Sequence, residues 1–239
     1  MKIAVSSDWH GHKPKAEARE TIASCDMLLL CGDIFEPFNS NDKLENYFKE
    51  LKKTGKRIVM TPGNHDFGIY FAQYPLESVR RDYRVSNCKR FPVEYLKEEL
   101  GIDCLIDETI EIDGVKIHGT PWTPMFCNWA FMLLDNEDMM KKHESIPGNL
   151  DILICHGPPY DLHSKIDSCC LSLYTGQPEH LGSKVLFETI GIKKPKWFFC
   201  GHIHSGQHEE TIIGDTRCYN VSYLGEDYEP HYPVFVFEV

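Results

Sequence analysis

Five short polar clusters in this sequence each follow an apolar run: Asp8-Trp9-His10, Gly32-Asp33, Gly63-Asn64-His65-Asp66, His156-Gly157-Pro158-Pro159 and Gly201-His202-Ile203-His204. Between them they offer carboxylates, imidazoles and one amide. Mixed oxygen and nitrogen donors of this kind suit Mn, Fe, Zn or Ni better than Ca or Mg alone. Taken singly, each cluster is weak. Asp8 in a turn can bond its own backbone. Gly and Asn tolerate positive φ in any loop. A pair such as His202 and His204 is more often incidental than metal-binding. The order and placement of all five carry the signal.

Placement is clearest at Gly32-Asp33. The apolar run over 27–31 ends there, and such a run bounded by Gly fits a strand buried on both faces. Asp33 then stands where the chain leaves the core, and a carboxylate there is costly without a partner.

The elements that must position these residues follow from patterning. Residues 2–7, 27–31 and 57–61 read as strands, the last stopped by Pro62-Gly63. Between them, 14–23 predicts a helix with Pro14 in its first turn. Residues 41–53 predict another, with Leu44, Tyr47, Phe48 and Leu51 at helical spacing. This β-α-β-α-β alternation argues for parallel strands with helical crossovers. Further strands are expected at 151–155, 197–200 and 234–239, and helices at 92–100, 181–190 and within 125–145. Asp113-Gly114 and Gly214-Asp215 read as hairpin turns, joining 109–112 to 115–118 and 207–213 to 217–221. Residues 160–180 read as a long loop. No repeat or linker divides the chain, so 1–239 is expected to form a single domain, with two layers of strands and helices outside. Ligands in open α/β sheets bind at the carboxyl ends of strands. Parallel strands would therefore bring all five clusters to one rim.

Composition narrows the partners. Lys and Arg total 25 against 36 Asp and Glu, a formal charge of −11, which disfavours nucleic acid or an anionic membrane as a partner. The strongest basic clusters are only the pairs Arg80-Arg81 and Lys193-Lys194, read as solvated faces. Ten cysteines include no CxxC pair, and Cys31, Cys155 and Cys200 end apolar runs as small hydrophobes would. They are expected to be reduced thiols of a cytoplasmic protein. Only Ile3-Ala4-Val5 precedes Ser6-Ser7-Asp8, too short for a signal peptide's apolar region. No apolar run approaches the ~20 residues that span a bilayer.

The ordered clusters resemble the calcineurin-like metallophosphoesterase family. Its pattern is DxH, GD, GNHD or GNHE, a lone His, then GHxH, each just after a strand. Every element is present in order from Asp8 to His204. The resemblance implies an α/β fold, a four-layer α/β/β/α sandwich of two mixed sheets. It also implies a dinuclear metal site at the strand C-terminal ends. By the same resemblance, Asp8, His10, Asp33 and His204 hold the first metal, and Asp33, Asn64, His156 and His202 the second, with Asp33 bridging. A finer likeness rests on Gly119-Thr120-Pro121-Trp122-Thr123-Pro124 with His156-Gly157-Pro158-Pro159. It is to the metallophosphoesterase-domain-containing subgroup, some of whose members hydrolyse cyclic nucleotides. Some of that subgroup carry Gly for the first His of GHxH; His202 implies a complete second site here.

Two metals can clamp the attacking and leaving oxygens of a phosphoryl displacement and acidify a bound water to hydroxide. The expected function is therefore hydrolysis of a phosphodiester, with a small nucleotide as the expected substrate and two divalent ions (Mn, Fe, Zn or Ni) as cofactors. A phosphomonoesterase or protein Ser/Thr phosphatase is the alternative. A nuclease ranks lower on charge, and a non-catalytic scaffold lower still because no ligand is missing. His65 is expected to face substrate as general acid. Asp66 is expected to hold its tautomer and raise its pKa. His118, ending a strand, and Trp122, an available stacking ring, are candidate substrate contacts. Asp227, Tyr228 and His231 form a polar cluster without an assigned role. Oligomeric state is left open.

Overall fold

The computed structural model describes residues 1–37, 40–74, 88–169, 176–206 and 208–239. Arg80-Arg81, Cys170 and the start of the strand expected at 207 lie outside the described residues. The longer strands in chain order are β1 Lys2–Ser6, β2 Met27–Cys31, β3 Arg57–Thr61, β4 Ile102–Cys104, β5 Glu108–Ile112, β6 Val115–Thr120, β7 Ile152–Cys155, β8 Trp197–Cys200, β9 Thr211–Ile213, β10 Thr216–Asn220 and β11 Phe235–Glu238. One sheet has the order β11-β1-β2-β3-β4, with only β11 antiparallel. The other runs β9-β10-β8-β7-β6-β5, parallel in its middle and closed at each end by a hairpin.

Side-chain alternation divides the interior into three cores. Ala4, Leu28, Leu30, Ile58 and Met60 pack outward onto helix α1 Ala16–Ala23 and helix α2 Asp42–Lys53. Ile3, Val5, Met27, Leu29 and Val59 point the other way and meet Ile117, Ile152, Ile154 and Phe199 of the second sheet. Leu153, Cys155, Phe198 and Cys200 face Leu186 and Ile190 of helix α6 Lys184–Lys193. The result is the expected helix–sheet–sheet–helix stack. It also explains the unbroken apolar run of β2, whose residues are all fully buried because both faces are covered.

The remaining helices are α3 Phe67–Gln73, α4 Val93–Tyr95, which continues as a π-turn over Leu96–Leu100, and α5 Glu137–Glu144. Helix α2 carries Asp42 and Glu45 in its first turn and Lys52 and Lys53 in its last, complementing its dipole. In α6, Ser183 accepts from the Leu186 N–H as N-cap. Helix α1 starts two residues after Pro14, so that proline lies ahead of the helix and not in its first turn. Helix α3 and strand β4 were not expected. The FGIYFAQ segment buries Phe67, Ile69 and Phe71 without helical periodicity, and three residues are too few to show alternation. At the first hairpin, Asp113 and Gly114 both take positive φ, +51° and +83°, as a type I′ turn requires. Within the segment read as a loop, Ser168–Cys169 pairs antiparallel with Glu179–His180.

Nine described cysteines are free thiols, and Cys31, Cys155 and Cys200 are fully buried. Among the described residues, no helix is long and apolar enough to cross a membrane.

Candidate metal centre

The ends of β1, β2, β3, β7 and β8 meet, and hydrogen bonds from backbone N–H groups to carbonyls and to the Asp8 and Asp33 carboxylates tie the five clusters together. Asp8 N–H donates to the Gly32 carbonyl at 3.0 Å, His10 N–H to Asp33 at 2.9 Å and Gly201 N–H to His156 at 2.9 Å. Asp8, His10, Asp33 and His202 sit at φ of +55°, +41°, +53° and +69°. Such left-handed backbone costs about 1–3 kcal/mol at each non-glycine residue and clusters at functional sites. Glycines make the crowding feasible. A Cβ at Gly32, itself at φ +92°, would lie 2.5 Å from His156 Nδ1, and one at Gly201 would lie 2.1 Å from Asp8 Oδ2.

Three groups of donors result among the described residues: His10 with Glu36 and His65, and the two sets that contain the expected ligands. Those of Asp8, His10 and His204 lie within 4.8 Å of one another, as do those of Asp33, His156 and His202. Asp33 Oδ2 lies between the sets, 3.8 Å from His10 Nε2 and 3.2 Å from His156 Nε2. His204 Nε2 is 3.4 Å from Asp8 Oδ1, and Asn64 Oδ1 is 2.8 Å from His156 Nε2. All seven expected ligands are thus brought together.

The far sides of His10, His156 and His204 test whether a cation fits. His156 Nδ1 donates to the Cys31 carbonyl at 2.9 Å, His204 Nδ1 to the Gly225 carbonyl at 2.9 Å and His10 Nδ1 to Glu36 Oε1 at 3.1 Å. Those acceptors commit the Nδ1 protons, so each neutral ring turns an Nε2 lone pair inward. His10 Nε2 and His204 Nε2 then face each other at 3.3 Å. Two lone pairs at that distance, beside carboxylates, need a proton or a metal between them. The donors fit a divalent cation in each set.

The charges agree. Burial opposes ionising Asp8 and Asp33, yet His204 holds Asp8, and His156 with His65 holds Asp33, well below the usual carboxylate range. Burial likewise opposes a charge on His156, but the Asp33 carboxylate outweighs it and raises that ring to about 9. His204 is raised against its own burial by Asp8, whereas burial and the His156 charge lower His202 to about 3. Protonated imidazoles therefore balance the carboxylates when no cation is bound. Metal must displace those protons, so its affinity falls in acid.

The family model described as calcineurin-like phosphoesterase matches residues 1–206. The chain belongs to the calcineurin-like phosphoesterase family. The human and mouse proteins named metallophosphoesterase domain-containing protein 1 are each 27% identical over 222 residues, covering 90% of this chain and 64% of the relative. This chain thus spans less than two thirds of their length. Among solved structures, TT1561 of Thermus thermophilus matches with a TM-score of 0.57 at 14% identity, over 92% of this chain and 88% of that one. Phosphopantetheinyl hydrolase of Mycobacterium tuberculosis matches with a TM-score of 0.52 at 14% identity, over 95% and 90%. Both show that the fold is shared.

Within this calcineurin-like site, the half-buried His65 donates its backbone N–H to Asp33 Oδ1 at 2.7 Å. Its ring lies 4.5 Å from that of His10 and 4.1 Å from that of Trp129. Asp66 has a different task from the expected one. Its carboxylate accepts backbone N–H groups of Gly63 at 2.8 Å, Phe35 at 2.8 Å and Ile34 at 3.1 Å, clamping two ligand loops together. It does not raise the pKa of His65, which burial lowers despite Asp33. Burial and the Asp33 charge push Asp66 itself up to about 7. Sequence reasoning missed Glu36, which orients His10, and Trp129 and Tyr228, which reach the site from distant loops. The only sequence signal for Tyr228 was its place in a polar cluster, and Glu36 had none beyond lying three residues after Asp33.

His118 and Trp122, expected at the substrate, are core residues instead. His118 is 1% exposed and bonds Thr109 Oγ1 at 2.8 Å. Trp122 donates its indole N–H to both Asp107 oxygens, at 3.0 and 2.9 Å, under the Lys142 ammonium. His118 and the equally buried His143 are each lowered to about 4 by burial. Both are neutral in the folded chain, while the unfolded chain takes up their protons below its ordinary pKa of 6.5. Their contribution is intact above that value and is lost as pH falls toward 4. At pH 5 the metal-free chain should lose on the order of 1–2 kcal/mol per histidine relative to pH 7.5. Urea midpoints at the two pH values check this, and His118→Gln should remove about half of the difference.

Proposed function

We propose that this chain is a two-metal phosphoesterase that hydrolyses a phosphodiester, with a small nucleotide as the substrate class. The observation that carries the reading is Asp33 lying between two imidazole-rich donor sets in which the Nδ1 protons of His10, His156 and His204 are committed to other acceptors. Asp8, His10, Asp33 and His204 would hold one divalent ion, and Asp33, Asn64, His156 and His202 the other. Mn, Fe, Zn or Ni would suit these mixed donors. When bound, such a pair supplies Lewis acidity to the phosphoryl oxygens and acidifies a water.

The chain's own residues do the positioning. Glu36 and the carbonyls of Cys31 and Gly225 fix the ring planes, and Asp66 locks the two loops that present Asp33 and Asn64. His65, beside His10 on the more open side, donates a ring N–H to a phosphoryl oxygen or to the departing alkoxide. A neutral imidazole still carries that proton. The free thiols support a reducing, cytoplasmic setting, and the shared cores support 1–239 acting as one domain.

A Mn-loaded activity screen tests the reading. It compares an aryl monoester, an aryl diester, 2′,3′- and 3′,5′-cyclic nucleotides and a phosphopeptide. The highest kcat/KM should fall on the diesters and cyclic nucleotides; preference for the phosphopeptide would overturn the substrate class. In the same assay, His65→Ala should lower turnover by about 10²–10⁴-fold with metal content unchanged. Parallel loss of metal would make His65 a ligand or a structural residue.

A further inference from the structure

Three large aromatic residues ring this site without belonging to any of its motifs. Phe126 is 49% exposed, and its ring lies 5.9 Å from that of His202. Trp129, half-buried, lies 4.1 Å from His65. Tyr228 is 46% exposed, with its ring 4.8 Å from His10 and 5.2 Å from His204. One ring therefore stands at each donor set and one at His65.

None of the three is there by chain flexibility alone. The segment carrying Phe126 and Trp129 is closed by Thr123 N–H to the Phe131 carbonyl at 3.0 Å and Met125 N–H to Leu133 at 2.8 Å. It is tied to the ligand loop by Ala130 N–H to the Asn64 carbonyl at 3.2 Å. Trp129 also packs on Phe67 of α3, 5.9 Å away. Tyr228 is held at φ +59° in a turn where its N–H donates to the Gly225 carbonyl at 3.0 Å. That same carbonyl accepts from His204 Nδ1, so the turn and the ligand are positioned together. Left-handed backbone at a bulky residue persists only where its surroundings impose it.

Phe126 and Tyr228 keep about half their surface in water beside a polar, charged centre, and Trp129 turns the part of its ring not packed on the core toward His65. The three rings suit an occupant that is anionic at the metals and flat and apolar beyond them. Aromatic rings are rigid and offer π-faces to any planar group. We propose that Phe126, Trp129 and Tyr228 are specificity-determining residues that select phosphoesters carrying a planar aromatic group. The proposal rests on the two-metal reading above.

The test is calorimetric binding of phenyl phosphate and methyl phosphate, which carry equal charge, to the Mn-loaded full chain. Phenyl phosphate should bind about tenfold or more tightly, the scale of one aromatic stacking contact. In the Phe126→Ala/Trp129→Ala/Tyr228→Ala triple variant that preference should collapse to within about twofold, with Mn content unchanged. Tyr228→Phe, which keeps the ring, should retain it. Equal affinities in the wild-type chain, or a preference that survives the triple variant, would overturn the proposal. Failure of the wild-type chain to take up two Mn ions would instead sink the two-metal reading beneath it.

Discussion

Asp33→Asn should leave the chain with fewer than two Mn ions and lower turnover on a chromogenic diester by at least about 10²-fold, the upper end for loss of a supporting residue at a metal site. The substitution is nearly isosteric. An amide oxygen can still accept the His65 N–H that Asp33 Oδ1 accepts at 2.7 Å, so the loop keeps its shape. Only the negative charge is lost. Asp33 is 2% exposed and lies within reach of both His10 and His156, so that charge bears on both donor sets at once. Metal analysis and steady-state kinetics on the same preparation check the result. Wild-type turnover in the variant would refute the shared role.

Asp66→Ala should act on stability. The Asp66 carboxylate is 1% exposed and receives the backbone N–H groups of Gly63, Ile34 and Phe35. Alanine leaves those buried donors without their acceptor, at about 1–3 kcal/mol for each group. For three groups the loss is at least about 3 kcal/mol, a large part of the 5–15 kcal/mol that stabilises a typical domain. Asp66→Asn retains one acceptor oxygen and should cost roughly half as much. Urea unfolding of the three proteins, each without metal, measures the series. A loss below about 1 kcal/mol for alanine would show that the clamp is not what Asp66 supplies.

The contrast between His65 and Asp66 shows where sequence reading ran out. The two are adjacent, and adjacency suggests a pair. In the folded chain Asp66 ends a turn and begins α3, so its side chain points inward to the loop backbones while the His65 ring faces His10. His118 had a usable clue in strand parity. Ile117 faces the gap between the sheets, so His118 must face the helical layer, away from the rim. The five clusters were readable because each apolar run ends abruptly in polar residues at a strand end. Burial of both strand faces then makes the four-layer stack the natural solution. Their division into two ligand sets came only from family resemblance, because strand ends far apart in sequence meet through sheet order. Glu36, Phe126, Trp129 and Tyr228 reach the site on irregular loops, where no periodicity marks the inward side.

The central claim is that one carboxylate joins two donor sets. Electron paramagnetic resonance of the chain titrated with Mn(II) tests it most directly. The shared Asp33 predicts an exchange-coupled spectrum that grows as the second equivalent binds and gives way to an isolated-ion spectrum in Asp33→Asn. A spectrum of uncoupled ions in the fully loaded wild-type chain, or saturation at one equivalent, would contradict it.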